Sequence, residues 1–287
     1  MGLKNIERHK SCGGTLTKYT FPSSTLGGLE TAVNVYLPPA ASNRKVPVLY
    51  YLAGLTCNED NGAQKGDFLA AAADGGIAIV FPDTSPRGAG IEGEDASYDF
   101  GTGAGFYVNA TKAPWSKYYR MYDFVTKELP QQLASAGLPL DTARASIMGH
   151  SMGGHGALVI FLRETGKYRS VSAFSPISHP TECPWGEKAF NGYLEGGVEA
   201  GKAYDAADLL GLLPQGREVD ILVDCGLADQ FLENELFVNT LEEAAEARGL
   251  DKERVRVRMH DGYDHSYYFV STFGPYHVRW HAQLLHK

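Results

Sequence analysis

Short apolar runs rich in β-branched residues punctuate the chain at Val46 to Leu52, Gly76 to Phe81, Ala145 to Met148, Val171 to Phe174, Val219 to Val223 and Val255 to Met259. Between and after them, apolar positions recur at helical spacing in Tyr119 to Ala136, Gly154 to Thr165, Phe231 to Arg248 and Phe269 to Leu285. This alternation predicts an α/β fold on a mostly parallel, doubly wound sheet. Gly137 and Gly249 are placed to stop two of the helices, and Pro130 to kink the first. Upstream, Thr15 to Phe21 and Thr31 to Leu37 alternate apolar with polar residues, the pattern of antiparallel N-terminal strands. No linker or internal repeat divides the chain, so residues 1–287 read as a single domain. Two longer excursions, Asp83 to Ser116 and Ile177 to Leu210, have the Gly, Trp and Tyr content of loops over a pocket.

Composition narrows the picture. With 44% hydrophobic and 21% charged residues, the chain can bury a sizeable core, which excludes a disordered tail or a small disulfide scaffold. A formal charge of -8 has the wrong sign for a phosphate-binding surface and argues against nucleic acid as partner. The first ten residues are interrupted by charges where a signal peptide needs an apolar stretch, and no run reaches the roughly 18 apolar residues of a membrane span. Cys12, Cys57, Cys183 and Cys225 lie far apart without CxxC or Cys/His spacing, so neither disulfides nor a zinc site is expected. The C-terminal residues match no retention, peroxisomal or prenylation signal. A cytoplasmic protein without metal or cofactor fits these features.

The most informative segment runs from Ala145 to Gly156, an apolar strand followed by Gly149-His150-Ser151-Met152-Gly153 and then a helical pattern. A Gly-x-Ser-x-Gly turn between strand and helix presents its serine as a nucleophile, and glycines two positions away avoid collision at the strained turn. The bland alternative is an ordinary strand-to-helix connection. In the catalytic reading, the backbone N–H of Met152 faces the developing oxyanion. A hydroxyl needs a histidine to take its proton and a carboxylate to orient that histidine, and here both must lie beyond Ser151. Among the downstream histidines, His155 falls in the elbow helix and His260 continues a strand, while His277, His281 and His286 sit in the last helical pattern. Only His265 follows a strand and a loop, Asp261 to Asp264, and opens a helix, the position of a base. For the acid, Asp229 lies in a loop after Val219 to Val223 and just before a helix, with Asp224 the runner-up and a helix N-cap the bland reading of Asp229. The loop Gly54-Leu55-Thr56-Cys57 after the first long strand is placed to supply a second oxyanion donor, the N–H of Leu55. Cys57, at the same strand end, reads as a pocket-lining thiol or as a small buried hydrophobe.

These segments, together with Asp229-Gln230-Phe231, Cys183-Pro184-Trp185-Gly186, Lys117 to Asp123 and the block Gly262 to Phe269, resemble the S-formylglutathione hydrolase (esterase D) family over nearly the whole chain. The resemblance implies an α/β-hydrolase that cleaves S-formylglutathione to formate and glutathione in formaldehyde detoxification, with side activity on short aryl esters. It carries the roles of nucleophile, acid and base onto Ser151, Asp229 and His265, and of oxyanion donors onto Leu55 and Met152. It further implies a cytoplasmic, metal-independent, often dimeric enzyme, thiol-reagent sensitivity at Cys57, and pocket positions for His150 and Trp185. Because glutathione is anionic, Lys117 and Arg120 are candidate cations for it, or else part of a solvated helix face. A general short-chain carboxylesterase or an acyltransferase would share these residues. A noncatalytic binding protein should have lost one of the three, and none is missing.

Overall fold

Every residue of Val46–Leu52 is buried, and successive side chains enter different cores. Val46, Val48, Tyr50 and Leu52 pack on one face of the sheet with the helix Met152–Arg163, while Leu49 and Tyr51 pack on the other with Phe269, Val270 and Val278. Strands covered on both faces lose the polar half of their alternation, which is why they read as continuous apolar runs. Truncating a side chain such as Leu49 to Ala would cost about 2–5 kcal/mol through lost burial and the cavity left behind.

The computed structural model describes residues 2–287. Its strands are β1 (Lys4–Ser11), β2 (Gly14–Pro22), β3 (Glu30–Leu37), β4 (Val46–Leu52), β5 (Ala78–Pro82), β6 (Leu140–His150), β7 (Tyr168–Phe174), β8 (Ile221–Gly226) and β9 (Val255–His260). All belong to one sheet in the order β1-β2-β3-β5-β4-β6-β7-β8-β9. β1, β2, β3 and β5 pair antiparallel in succession, and from β5 through β4 to β9 every neighbour is parallel. The parallel series therefore sends the loops after β4, β6, β8 and β9 to one edge, the carboxyl end where α/β sheets gather their chemistry. β4 lies between β5 and β6, so chain order reverses beside it. No helix among the described residues is long and apolar enough to cross a membrane.

The structure departs from the sequence reading in four places. β1 was absent from it because Lys4–Ser11 is exposed along nearly its whole length, so its order comes from pairing with β2 rather than from an apolar face. The helix around Pro130 is built of Met121–Asp123, a π-helical Phe124–Glu128 and Leu129–Ser135. Proline has no N–H to give the carbonyl of Thr126, which accepts instead from Lys167 Nζ. The pattern from Phe231 to Arg248 is interrupted at Phe237, with φ of 46°, between a π-helical turn and the helix Asn239–Ala247. Finally, the excursion from Ile177 to Leu210 is not a loop. It contains the helix Pro184–Tyr193, capped by Cys183 Sγ accepting from the N–H of Gly186 and buried through Trp185, Ala189, Phe190 and Tyr193.

Candidate active site

β6 ends at His150, and Ser151 follows with φ of 56° and ψ of -122°, a conformation that a side-chain-bearing residue adopts only under constraint. Its N–H donates to Phe174 O of β7 (2.9 Å), and its carbonyl accepts from His155 N (3.0 Å), which opens the helix Met152–Arg163. The turn closes only because its neighbours lack side chains. A Cβ on Gly149 would lie 2.1 Å from Gly153 O, and one on Gly153 would lie 2.0 Å from Leu52 O. Met152 is the first helical residue, so its N–H belongs to the unpaired first turn, at the positive end of the helix dipole.

After β9, the chain turns through Asp261 to Asp264 and brings His265 to the same edge. His265 Nδ1 lies 2.6 Å from Asp229 Oδ2, and the Asp229 side chain is fully buried. The other carboxylate oxygen, Oδ1, accepts from Phe231 N at 2.9 Å. Asp229 thus holds the histidine with one oxygen and the backbone N–H of Phe231 with the other. A proton on Nδ1 directed at the carboxylate leaves Nε2 as the free acceptor of the ring. No side-chain hydrogen bond joins Ser151 to His265 among the described residues, but both face one cavity of about 210 Å³.

Gly54, Leu55, Thr56, Cys57, Tyr98, His150, Trp185 and Phe231 complete the lining of that cavity. The N–H groups of Thr56 and Cys57 bond Gly103 O and Gly54 O, whereas that of Leu55 has no protein acceptor among the described residues. His150 Nε2 donates to the carbonyl of His265 (3.1 Å), and its ring lies 4.7 Å from that of His265. Burial and the neighbouring His265 hold His150 well below the usual histidine range, so it is neutral, with Nδ1 buried and unpaired. Burial raises the Cys57 thiol above the usual cysteine range, so it is a protonated wall group at neutral pH. Trp185 is buried, 4.6 Å from Phe231 between ring centroids, and its indole N–H donates to the hydroxyl of the exposed Tyr98 (3.1 Å). Sequence reasoning did not single out Tyr98, Thr56 or Phe231 as pocket residues. The only signal for Tyr98 was its place in the excursion after β5.

Other candidates lie elsewhere. Asp224 is buried and bonded by Arg258 through Nε and Nη2, each at 2.6 Å, and by His277 Nε2 at 3.1 Å. Burial opposes its ionisation, but the bonds from His277 and Arg258 prevail and hold the carboxyl well below the usual range. It is committed to that cluster and does not bond His265. His155 Nε2 bonds Phe106 O and His281 bridges Ser170 and Ser172, so both are buried core residues, His281 bonded through both ring nitrogens and His155 through one. Lys117 lies over the ring of Tyr118 and Arg120 pairs with Asp123, as a solvated surface predicts. Neither lines the cavity, and no lysine or arginine does among the described residues.

The chain is similar to known proteins over nearly its whole length. The Esterase family, described as "Putative esterase", matches residues 23–287. The chain is 50% identical over 286 residues to the S-formylglutathione hydrolase of Rattus norvegicus, covering 99% of both. It is 49% identical over 285 residues to that of Arabidopsis thaliana, covering 99% of this chain and 98% of the relative. The solved structure of an S-formylglutathione hydrolase from Agrobacterium tumefaciens superposes with a TM-score of 0.92 at 41% identity, covering 99% and 100% of the two chains. The fold is therefore that of an α/β-hydrolase, and the chain belongs to the S-formylglutathione hydrolase family of esterases.

Proposed function

We propose that this chain, acting as one α/β-hydrolase domain, cleaves S-formylglutathione to formate and glutathione. Ser151 is the nucleophile, His265 the base, Asp229 the orienting acid, and the N–H groups of Leu55 and Met152 the oxyanion donors. The observation that carries this reading is the 2.6 Å Asp229–His265 bond beside the strained Ser151 turn in one cavity. The hydroxyl turns toward Nε2 of His265, which takes its proton as Oγ bonds to the formyl carbon. The tetrahedral oxyanion collapses, the C–S bond breaks, and the glutathione sulfur leaves with the proton from His265. Water then gives a proton to His265 and adds to the formyl ester, the bond to Oγ breaks as Ser151 recovers its proton from His265, and formic acid departs and loses its proton to solvent as formate. One oxyanion donor contributes about 2.7–4 kcal/mol in a comparable acyl-transfer site. His150, Cys57 and Trp185 form walls of the substrate pocket. Four free cysteines, two of them buried, suit a reducing, cytoplasmic setting.

The mostly apolar wall without a cation favours a second reading, a general short-chain carboxylesterase. The two separate by kcat/KM for S-formyl, S-acetyl and S-propionyl glutathione beside a matched aryl ester series. A formyl-directed site loses rate steeply as the acyl chain grows, each tenfold step corresponding to about 1.4 kcal/mol. It also prefers the formyl thioester to an aryl formate once leaving-group reactivity is corrected. A flat acyl profile or indifference to glutathione makes the chain a broad carboxylesterase.

A further inference from the structure

The N–H of Leu55 can serve an oxyanion only if the peptide between Gly54 and Leu55 keeps its orientation, yet residues 53–57 lie in no helix or strand. What holds them comes from the segment after β5. Tyr107 donates its hydroxyl to Ala53 O (2.9 Å), and Gly103 O accepts the N–H of Thr56 (2.9 Å). At the far end, Cys57 O accepts twice, from Thr84 Oγ1 (2.5 Å) and Arg87 Nη2 (3.0 Å). The same guanidinium grips Asp83 with Nε (2.7 Å) and Nη2 (2.8 Å), and Asp83 Oδ1 also accepts the N–H of Thr84 (2.7 Å). Asp83 and Thr84 are buried directly beyond the end of β5. Arg87 therefore ties a loop carbonyl to a carboxylate anchored on the sheet.

The loop needs such a tie. Thr56, a β-branched residue, has φ of 65°, a conformation whose cost is on the order of 1–3 kcal/mol and which persists only where the surroundings impose it. Freed at Cys57, the segment relaxes at Thr56, and the adjoining Leu55 N–H swings with it. Arg87 does not line the cavity, so its action on the chemistry is indirect.

We propose that Arg87, anchored by Asp83, is a positioning residue that aims the Leu55 N–H into the oxyanion site; this rests on the reading of Leu55 as a donor. A planar fork can serve Asp83 and Cys57 O together, which a single ammonium does less well.

The test is the carbonyl stretch of the acyl-enzyme formed from carbonyl-13C-labelled p-nitrophenyl acetate, recorded by rapid-mixing infrared spectroscopy with kcat, KM and the urea midpoint. In the wild type, the band lies below that of a serine acetate ester in water. Arg87→Met moves it back toward the free-ester position and lowers kcat about tenfold, part of the hundredfold or more expected for losing a donor outright, with KM within about twofold. Arg87→Lys keeps the pair with Asp83 and the urea midpoint but not the wild-type kcat. Thr84→Val, which removes the other donor to Cys57 O, shifts the band in the same direction. A wild-type band and kcat in Arg87→Met, or in Arg87→Lys should Arg87→Met not fold, overturn the positioning role alone. A wild-type enzyme without the low-frequency band removes the donor reading and the positioning role with it.

Discussion

At the scale of single residues, the site contains side chains whose geometry opposes stability. Ser151 holds a positive φ that glycine adopts freely. Ser151→Gly should therefore abolish turnover and raise stability by about 1 kcal/mol, seen as a higher Tm; a lower Tm would show that the turn is not strained. The two aspartates after β8 separate by the same logic. Asp229→Asn should fold normally and lose several orders of magnitude in kcat. Asp224→Asn leaves Arg258 without its partner and should cost about 3 kcal/mol while sparing the kcat of the folded fraction. Inactive but stable Asp224→Asn beside active Asp229→Asn would transfer the acid role to Asp224. Cys57 gives a pH signature. Its raised pKa keeps it as a thiol at neutral pH, so inactivation by iodoacetamide should be slow there and accelerate only above the ordinary cysteine range near 8.5. Cys57→Ala should stay active and resist the reagent. Fast inactivation at pH 7, or loss of activity in Cys57→Ala, contradicts this.

At the scale of elements, legibility followed burial. β4 was readable to its bounds because both its faces are covered, and the helix after Ser151 because it is buried along nearly its whole length. β1 was not, since an exposed strand held by pairing alone leaves no hydrophobic period. The helix Pro184–Tyr193 was hidden by its glycines, which suggest coil until its capping by Cys183 is seen. In the site, Ser151, His265 and Asp229 could be nominated because each sits at a strand end with a local signature of turn chemistry. Tyr98 and the contacts of Arg87 with Cys57 O carry no such signature. They depend on how the segment after β5 folds back across the loop after β4, a matter of tertiary placement alone.

At the scale of the whole molecule, parallel pairing from β5 to β9 collects the loops after six strands at one edge, so residues as distant in sequence as Leu55 and His265 meet in a cavity of about 210 Å³. Helices on both faces bury the strands that bear these loops, which gives the strained turn at Ser151 and the loop of Thr56 a rigid base. In the proposed function this edge hydrolyses S-formylglutathione through Ser151. The most direct measurement is kcat/KM for S-formylglutathione in the wild type and in Ser151→Ala, with circular dichroism of both. The wild type should turn over rapidly and the variant lose on the order of a millionfold, down to background, with an unchanged spectrum. Near-wild-type turnover in Ser151→Ala, or wild-type hydrolysis no faster than the spontaneous rate, would contradict it.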